Sequence, residues 1–340
     1  MVSAMKQSDA IPAGRRVGVR EVARVAGVST QTVSRVINDH PGIRAETRER
    51  VLDAMRTLDY RVNNAARALG TSRTRTIGIL VSDAGMYGPA VGILALEAAA
   101  RAAGRWVTAA YADAGDEASV IDAAQHLSAQ GVDGIVVLAP HARTLNALAS
   151  AGLGLPVTAL HSTDEYALQR DAAAIAVAHL ADLGHGSIAH LAGPDDWLEA
   201  VARAEGFVAA LAERGLRSAG VWRGDWSAAS GFAAAADIAR AVRAGGADPA
   251  GPTAVFVAND QMALGLIAGL GDAGIAVPGE VSVVGLDDNP DAAYYRPALT
   301  TVRLDIAGEA ARCIAEVLGL EAHAAPVHPV LIHRASSAPR

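Results

Sequence analysis

From Thr76 onward, the sequence alternates short apolar runs with longer alanine-rich stretches, and this alternation constrains the fold more than any other feature. Apolar runs bounded by turn residues predict strands buried on both faces, and the stretches between them have the length of helices. The predicted strands are 77–81, 106–111, 134–138, 157–160, 188–192, 219–222, 255–258, 281–286 and 329–333. The predicted helices include 90–103, 117–130, 172–183, 198–214 and 261–273.

This alternation predicts an α/β fold with parallel sheets that are covered by helices on both faces. The strands are too numerous for one open sheet of usual size, so we expect two doubly wound halves with a cleft between them. Ligands in such folds bind beyond the carboxyl ends of the strands. The polar residues that follow the predicted strands are Ser82, Asp83, His161, Asn259, Asp260, Asp287 and Asp288.

The segment Val19–Asn38 precedes this region and predicts a helix-turn-helix, with two short helices separated at Gly27. Each helix carries apolar residues at three-and-four spacing, and Ser29 stands where a helix N-cap belongs. Polar side chains that can hydrogen-bond a base edge or a phosphate remain outward on the second helix: Thr30, Gln31, Ser34, Arg35 and, just after it, Asn38. The pattern alone is also compatible with a surface helical hairpin.

The sequence around this segment divides into further parts. Residues 1–16 predict a disordered extension that lacks the apolar centre of a signal peptide, so we expect a cytoplasmic protein. Residues 45–58 predict a third helix, which completes a headpiece over residues 17–60. Residues 61–75 predict a linker with a helix too short to be stable without a partner, and the core follows over residues 76–340.

Charge is distributed unevenly along the chain. Residues 1–75 carry 14 Lys and Arg against 7 Asp and Glu, a formal charge of +7, whereas the remainder carries 15 basic against 29 acidic side chains, a charge of −14. A basic head on an acidic body is typical of a phosphate-binding module joined to a sensor or assembly domain. Chance clustering of surface arginines is the alternative explanation.

Several classes of function find no support in the residues. The single Cys313 excludes an intrachain disulfide and a cysteine-based metal cluster. The sequence contains no phosphate-binding loop, no G-x-G-x-x-G, no G-x-S-x-G and no His or Cys metal spacing, so we expect no enzyme, cofactor or metal site. Because fold does not fix function, two alternatives stay open: a periplasmic-type sugar-binding protein and an enzyme on a doubly wound scaffold.

Several blocks of sequence resemble, in order, the lac-repressor family of transcription regulators. They are V-R-E-V-A-R-V-A-G-V-S-T-Q-T-V-S-R-V-I-N from Val19, N-N-A-A-R-A-L from Asn63, H-L-A-G-P from His190, G-D-W-S-A-A-S-G-F from Gly224, V-A-N-D-Q-M-A-L-G from Val257, V-S-V-V-G-L-D-D from Val281 and P-A-L-T-T-V from Pro297. The resemblance implies a helix-turn-helix headpiece and a two-lobed core like that of periplasmic binding proteins, built from two doubly wound parallel sheets. It places residues 76–173 and 304–325 in the first lobe, and residues 174–303 with the C-terminal segment in the second.

The resemblance implies that the headpiece and the linker bind double-stranded operator DNA. The matching positions are Thr30, Gln31, Ser34, Arg35, Asn38, Asn63, Ala66 and Leu69. Arg35 can hold a guanine through a bidentate pair. Residues 63–69 match a hinge helix that forms on the operator, where Leu69 would enter the minor groove as a wedge. Packing between the linker and the core is the alternative role of Leu69, and a solvated helix face is the alternative for Ser34 and Arg35.

The resemblance further implies that the cleft holds a small-molecule effector, expected to be a carbohydrate, through hydrogen-bonding and stacking side chains. The matching positions are Tyr87, Pro89, His161, Arg203, Trp226, Asn259, Asp287 and Leu304. Taken singly, Asn259 and Asp287 could instead be helix caps and Arg203 a surface ion pair.

Three positions depart from the lac-repressor branch of the family. His161 and Leu304 stand where that branch has an acidic side chain and a glutamine, and Glu199 replaces a small serine. The galactoside specificity of the branch is therefore not implied for this chain.

The segment after the predicted strand 329–333 has no leucine heptad like the one that forms the lac repressor's tetramer. We therefore expect a homodimer, and a pseudo-palindromic operator that matches its two-fold axis. The hypothesis is that the dimer represses until a ligand closes the cleft and releases the DNA. The sequence leaves open whether the effector is an inducer or a co-repressor.

Overall fold

The computed structural model describes residues 17–38, 40–61, 74–138, 140–162, 166–244, 251–321 and 327–340. The chain separates into two compact units, Met1–Thr74 and Arg75–Arg340. Among the described helices, none is long and apolar enough to cross a membrane.

The N-terminal unit contains three short helices: α1 (Val19–Ala26), α2 (Thr30–Ile37) and α3 (Ala45–Thr57). They share a small core built from one apolar face of each helix: Val22, Ala23, Ala26, Val33, Val36, Val51 and Ala54. Gly27 ends α1 with a left-handed backbone (φ 64°), which glycine adopts without strain and which turns the chain into α2. The side chain of Ser29 caps α2 by accepting a hydrogen bond of 3.0 Å from the Thr32 N–H, as predicted.

The C-terminal unit begins with a four-stranded parallel sheet in the order β2-β1-β3-β4. Its strands are β1 (Thr76–Val81), β2 (Trp106–Tyr111), β3 (Gly134–Leu138) and β4 (Val157–Ala159). The helices between them are α4 (Tyr87–Ala102), α5 (Glu117–Ala129) and α6 (Ala142–Ser150). Apolar clusters lie on both faces of this sheet, one against α4 and the other against α5 and α6.

A second, six-stranded sheet follows, in the order β10-β9-β8-β7-β5-β6. Its strands are β5 (Ser187–Ala192), β6 (Arg217–Arg223), β7 (Ala254–Val257), β8 (Ser282–Leu286), β9 (Thr300–Arg303) and β10 (Val330–Ile332). One face packs on α7 (Ala167–Asp182) and α8 (Leu198–Glu213), and the other on α9 (Ala228–Ala244) and α10 (Asp260–Asp272). The edge strand β10 runs antiparallel to β9, so this sheet is not purely parallel as expected.

The chain passes between the two sheets more than once. After β9, helix α11 (Ile306–Val317) returns to the first sheet, where its buried face joins the cluster around α4. The expected lobe boundary at residue 173 falls inside α7, although Ala172 and Ala173 both pack on the second sheet. By packing, the change of lobe therefore precedes Ala172, slightly earlier than expected. The α/β fold class with two sheet-centred lobes is confirmed.

Two glycines bring α9 and α10 into close contact beside the cleft. A Cβ added at Gly231 would collide with the Met262 carbonyl, and one at Gly265 with the Ala228 carbonyl. This close approach places the loop that precedes α9, which carries Trp226, against the N-terminus of α10 and its cap Asn259.

Candidate functional site

The outer face of α2 carries the polar residues predicted to contact DNA. Thr30, Gln31, Ser34 and Arg35 are exposed, while Val33 and Val36 are buried on the opposite face. Asn38 differs, because it is half-buried and its side-chain amide lies 3.5 Å from the Ser34 hydroxyl. Four of the five predicted side chains are therefore exposed, and Asn38 is partly exposed.

The predicted hinge contacts Asn63, Ala66 and Leu69 lie outside the described residues. Their role stays a prediction.

All eight residues predicted to bind an effector line a single cavity between the two sheets. The cavity is partly open to solvent, and the eight are Tyr87, Pro89, His161, Arg203, Trp226, Asn259, Asp287 and Leu304. They come from helices and loops that are distant in sequence, and the structure brings them to two facing walls.

Sequence reasoning missed several other residues of this cavity: Met86, Leu138, Leu160, Trp197, Gln261 and Ile306. Leu138 and Leu160, at the ends of β3 and β4, have the sequence pattern of ordinary core residues, so no signal in the sequence distinguished them. Gln261 lies two positions after Asn259, and Trp197 lies in the loop that follows β5. Both therefore stand in the region beyond strand ends where ligands bind, which was the available signal.

The two lobes touch directly at the rim of the cavity. The Tyr87 N–H, at the start of α4, donates to the Gln261 side-chain oxygen at 3.4 Å. On another side, Nδ1 of His141 lies 3.2 Å from the Asp196 carboxylate, and the Leu198 N–H donates to the Pro140 carbonyl at 3.1 Å. The structure thus shows the cleft with its lobes in contact.

Arg203 is buried in the second-lobe wall and is not the surface ion pair that the sequence left open. Its Nε donates to the Gln169 side-chain oxygen at 2.8 Å, and Nη1 donates to the Ala258 carbonyl at 2.5 Å. Its Nη2 lies 4.0 Å from the Asp287 carboxylate. The guanidinium carbon is 5.4 Å from the centre of the Trp226 ring, within the range of a cation–π contact. Arg203 therefore holds the wall together as well as facing the cavity.

Trp226 is only 5% exposed, so little of its ring is open to stack on a ligand. Arg203 lies over the indole, and Trp197 packs edge-on against it with ring centres 5.3 Å apart. The indole N–H is buried without a hydrogen-bond partner among the described residues. The residue therefore offers the cavity an edge and a spare donor, because neighbours already cover much of its face.

Asn259 is the N-cap of α10, which is the alternative role that the sequence left open. Its Oδ1 accepts from the Met262 N–H at 2.9 Å, and its Nδ2 donates to the Trp226 carbonyl at 3.1 Å. A side-chain amide has two N–H donors and two lone pairs, so one of each remains for a ligand. Asn259 can serve as cap and ligand contact together.

Asp287 follows β8 and is not a helix cap. Burial raises its pKa to about 6, against the opposing effect of Arg203. The neighbouring Asp260 is also buried, and its carboxylate accepts hydrogen bonds from the Thr301 hydroxyl at 2.6 Å and the Asn289 N–H at 2.8 Å. Burial and the charge of Asp287 raise the pKa of Asp260 despite these bonds. The second-lobe wall therefore concentrates acidic groups near one guanidinium.

His161 occupies the first-lobe wall as a neutral side chain. Burial, with Arg203 and Arg312 nearby, lowers its pKa to about 3. Its Nδ1 lies 3.8 Å from the carboxylate of Glu309, which itself pairs with Arg312 on the same helix α11. At neutral pH, His161 can donate one hydrogen bond and accept another, but it brings no charge to a ligand.

Comparison with known protein families identifies two matching regions, one in each of the two units of the chain. Residues 19–63 match the family of bacterial regulatory proteins called the lacI family, and residues 177–337 match a periplasmic binding protein-like domain. The lactose operon repressor of Escherichia coli K12 is 33% identical over 292 residues, which span 84% of this chain and 79% of that protein. The chain belongs to the lacI family of bacterial regulatory proteins. The predicted family is confirmed, and the protein is a DNA-binding transcriptional regulator of this family.

Other relatives agree along most of the chain. Catabolite control protein A of Priestia megaterium is 29% identical over 318 residues, which cover 90% of this chain and 93% of that protein. The crystal structure of the lac repressor dimer bound to operator and the anti-inducer ONPF has a TM-score of 0.74 at 28% identity, covering 95% of this chain and all of that one. The complex of the regulator CelR with cellobiose has a TM-score of 0.65 at 27% identity, with the same coverage. These similarities favour the regulator over the periplasmic and enzymatic alternatives.

Proposed function

We propose that this protein is a repressor that binds a pseudo-palindromic operator as a homodimer and changes its operator affinity when a small polyhydroxylated ligand enters the cleft. One observation carries the proposal. The chain that presents Thr30, Gln31, Ser34 and Arg35 on an exposed helix also gathers all eight expected ligand residues around one cavity. The lac repressor has been solved as a dimer on its operator, which supports the dimer here.

The headpiece would enter the major groove with α2, because its polar face is exposed and its apolar face is buried in the unit's own core. The net charge of +7 over residues 1–75 favours the phosphate backbone and offsets the acidic remainder locally. Arg35 is the side chain best suited to a guanine, and Thr30 and Gln31 lie at the N-terminal end of the helix, where base contacts concentrate.

The cleft would act as the sensor. A ligand that contacts both the first-lobe wall at His161 and the second-lobe wall at Asn259 and Asp287 stabilises one arrangement of the lobes over another. It can shift the equilibrium only by its difference in affinity for the two arrangements. A hundredfold change in operator affinity needs about 2.8 kcal/mol of such coupling, since each tenfold corresponds to about 1.4 kcal/mol.

The segment 61–75 would transmit the change as a hinge that orders on the operator and inserts Leu69. Since the work of the protein is binding and release, we expect it to use no catalytic step and no cofactor, and to act in the cytoplasm where the DNA is. Whether ligand binding releases or promotes operator binding is a question for experiment.

The direct test uses the full-length chain and a fluorescent DNA duplex taken from the region upstream of its own gene. Fluorescence anisotropy should show binding that a scrambled duplex does not compete, and one member of a carbohydrate panel should change the affinity at least tenfold. Equal affinity for both duplexes would contradict the operator proposal. Binding of a ligand with no effect on the DNA would contradict the sensor.

A further inference from the structure

Glu199 is a buried acid that lines the cleft, and its carboxylate is only partly satisfied, by hydrogen bonds from the Trp197 side chain and the Glu199 backbone. It is the second residue of α8, it lines the cavity, and it is 7% exposed. Its Oε2 atom is buried and has no hydrogen-bond partner in the part of the chain that the structure describes. Leaving a carboxylate in this state is costly, and such a group in a cavity wall calls for a ligand that satisfies it.

The wall offers no spare positive charge to Glu199. Two carboxylates line the described cavity, those of Glu199 and Asp287, and Arg203 is the single guanidinium among its lining residues. Arg203 already donates to Gln169 and to the Ala258 carbonyl, and its remaining nitrogen is nearest Asp287. On the facing wall, His161 is neutral. When both carboxylates are ionised, the described wall is therefore short of one cation.

We infer that the effector carries a protonated amine that pairs with Glu199, and that the ligand is an amino sugar or a comparable polyhydroxylated amine. This inference rests on the proposed function, because it names the ligand class of the same cleft. The charge-assisted hydrogen bond would satisfy the free carboxylate oxygen and supply the missing cation.

The acid–base state of the Glu199 carboxyl group supports this inference. Burial raises the pKa of Glu199 to about 7, while Arg203 on the same helix and the adjacent Trp197 oppose the rise. Asp287, from the loop after β8, raises it further, and the phenol of Tyr166, before α7, is the other titratable group that interacts with it. Because the pair needs Glu199 without its proton and the amine with its proton, amine binding should be strongest between the pKa of Glu199 and that of the amine.

Matched pairs of probes test the inference on the full-length protein. D-Glucosamine, D-galactosamine and the iminosugar 1-deoxynojirimycin would be compared with D-glucose and D-galactose by calorimetry at pH 7. At least one amine should bind ten times more tightly than its neutral counterpart. Absence of binding by every amine, or equal binding by the neutral sugars, overturns the inference.

Variants assign the effect to the carboxylate. Glu199→Gln keeps the shape of the side chain and should weaken the amine at least tenfold, a larger loss than it causes for the neutral sugar of the same pair. Glu213→Gln, an exposed position on the same helix, is the matched control and should change neither affinity. If Glu199→Gln misfolds, the comparison of amine with neutral probe on the unaltered protein still decides.

The operator assay separates failure of this inference from failure of the proposed function. Release of the operator by a neutral sugar that binds as well as any amine would leave the proposed function standing and remove the amine. Tight amine binding with no effect on operator affinity would support the amine as ligand and contradict the proposed function.

Discussion

Asn259 holds Trp226 in place. Its Nδ2 donates to the Trp226 carbonyl at 3.1 Å while its Oδ1 caps α10 through the Met262 N–H. One side chain thus fixes both the start of a helix and the loop whose indole lies under Arg203. A change at Asn259 should therefore act on stability and on ligand response together.

Asn259→Ala should lower the stability of the core and abolish the response to effector. Loss of the cap costs about 1 kcal/mol, and the freed Trp226 loop no longer supports Arg203. Thermal denaturation and anisotropy on the operator measure the two effects, with the exposed Asn146→Ala as control. Asn259→Ser keeps a capping oxygen and should recover most of the stability but not the response. An unchanged response in Asn259→Ala would remove the residue from the ligand site.

Arg35→Ala should weaken specific operator binding by roughly 1 to 3 kcal/mol and relax the preference at one base position. The side chain is exposed on α2 and is the one most able to read a guanine. Binding to a set of single-base operator variants measures this. Arg101→Ala, at an exposed position of α4 in the other unit, is the control and should have no effect. Normal binding and normal base preference in Arg35→Ala would exclude α2 as the reading helix.

Glu199 should make the ligand-free core less stable as the pH rises. Its pKa is about 7 in the folded protein against about 4.5 ordinarily, so the folded state holds the proton more tightly between these values. Stability then falls as the pH rises through this window, by roughly 3 kcal/mol at most, since one pKa unit corresponds to about 1.4 kcal/mol. Glu199→Gln should gain stability over the unaltered protein at pH 8 and show little difference at pH 4.5, as measured by urea unfolding. Glu213→Gln should track the unaltered protein, and equal pH profiles for all three would show that Glu199 is not strained by burial.

His190 should make the protein less stable as the pH falls. It is fully buried between Phe207 and Phe256, and burial lowers its pKa to about 4. The unfolded chain takes up the proton first, at an ordinary value near 6.5, so this stability is complete above pH 6.5 and is lost as the pH falls toward 4. His190→Gln should flatten that acid limb in unfolding experiments, whereas His126→Gln, at an exposed position, should not. If the stability of His190→Gln still falls in the same way at acid pH, other groups cause that fall.

The strands were predictable where apolar runs were unbroken, and β2 and β3 have the predicted bounds. Strand β9 was not predicted because two of its four residues are threonines, which read as turn or surface. In the structure, Thr300 and Thr301 are fully buried, and their hydroxyls bond Ser337 and Asp260, partners that are remote in sequence. Only the assembled sheet makes a buried threonine acceptable there.

The residues of the cleft were likewise predictable only in part. The resemblance located all eight expected residues at one cavity. Their individual roles depended on tertiary contacts that no local pattern carries: the burial of Arg203, the guanidinium over Trp226 and the double use of Asn259. Glu199 appeared in the sequence as a departure from the family, and only its burial with one unpartnered carboxylate oxygen gave that departure a chemical meaning.

The most direct test of the whole account is operator affinity measured with and without a ligand already known to bind the cleft. For the unaltered protein, we expect the ligand to change the affinity for the specific duplex at least tenfold, and we expect Asn259→Ala to bind that duplex but not respond. A ligand that binds the cleft while the operator affinity stays the same would contradict the claim that this cavity controls the DNA-binding headpiece.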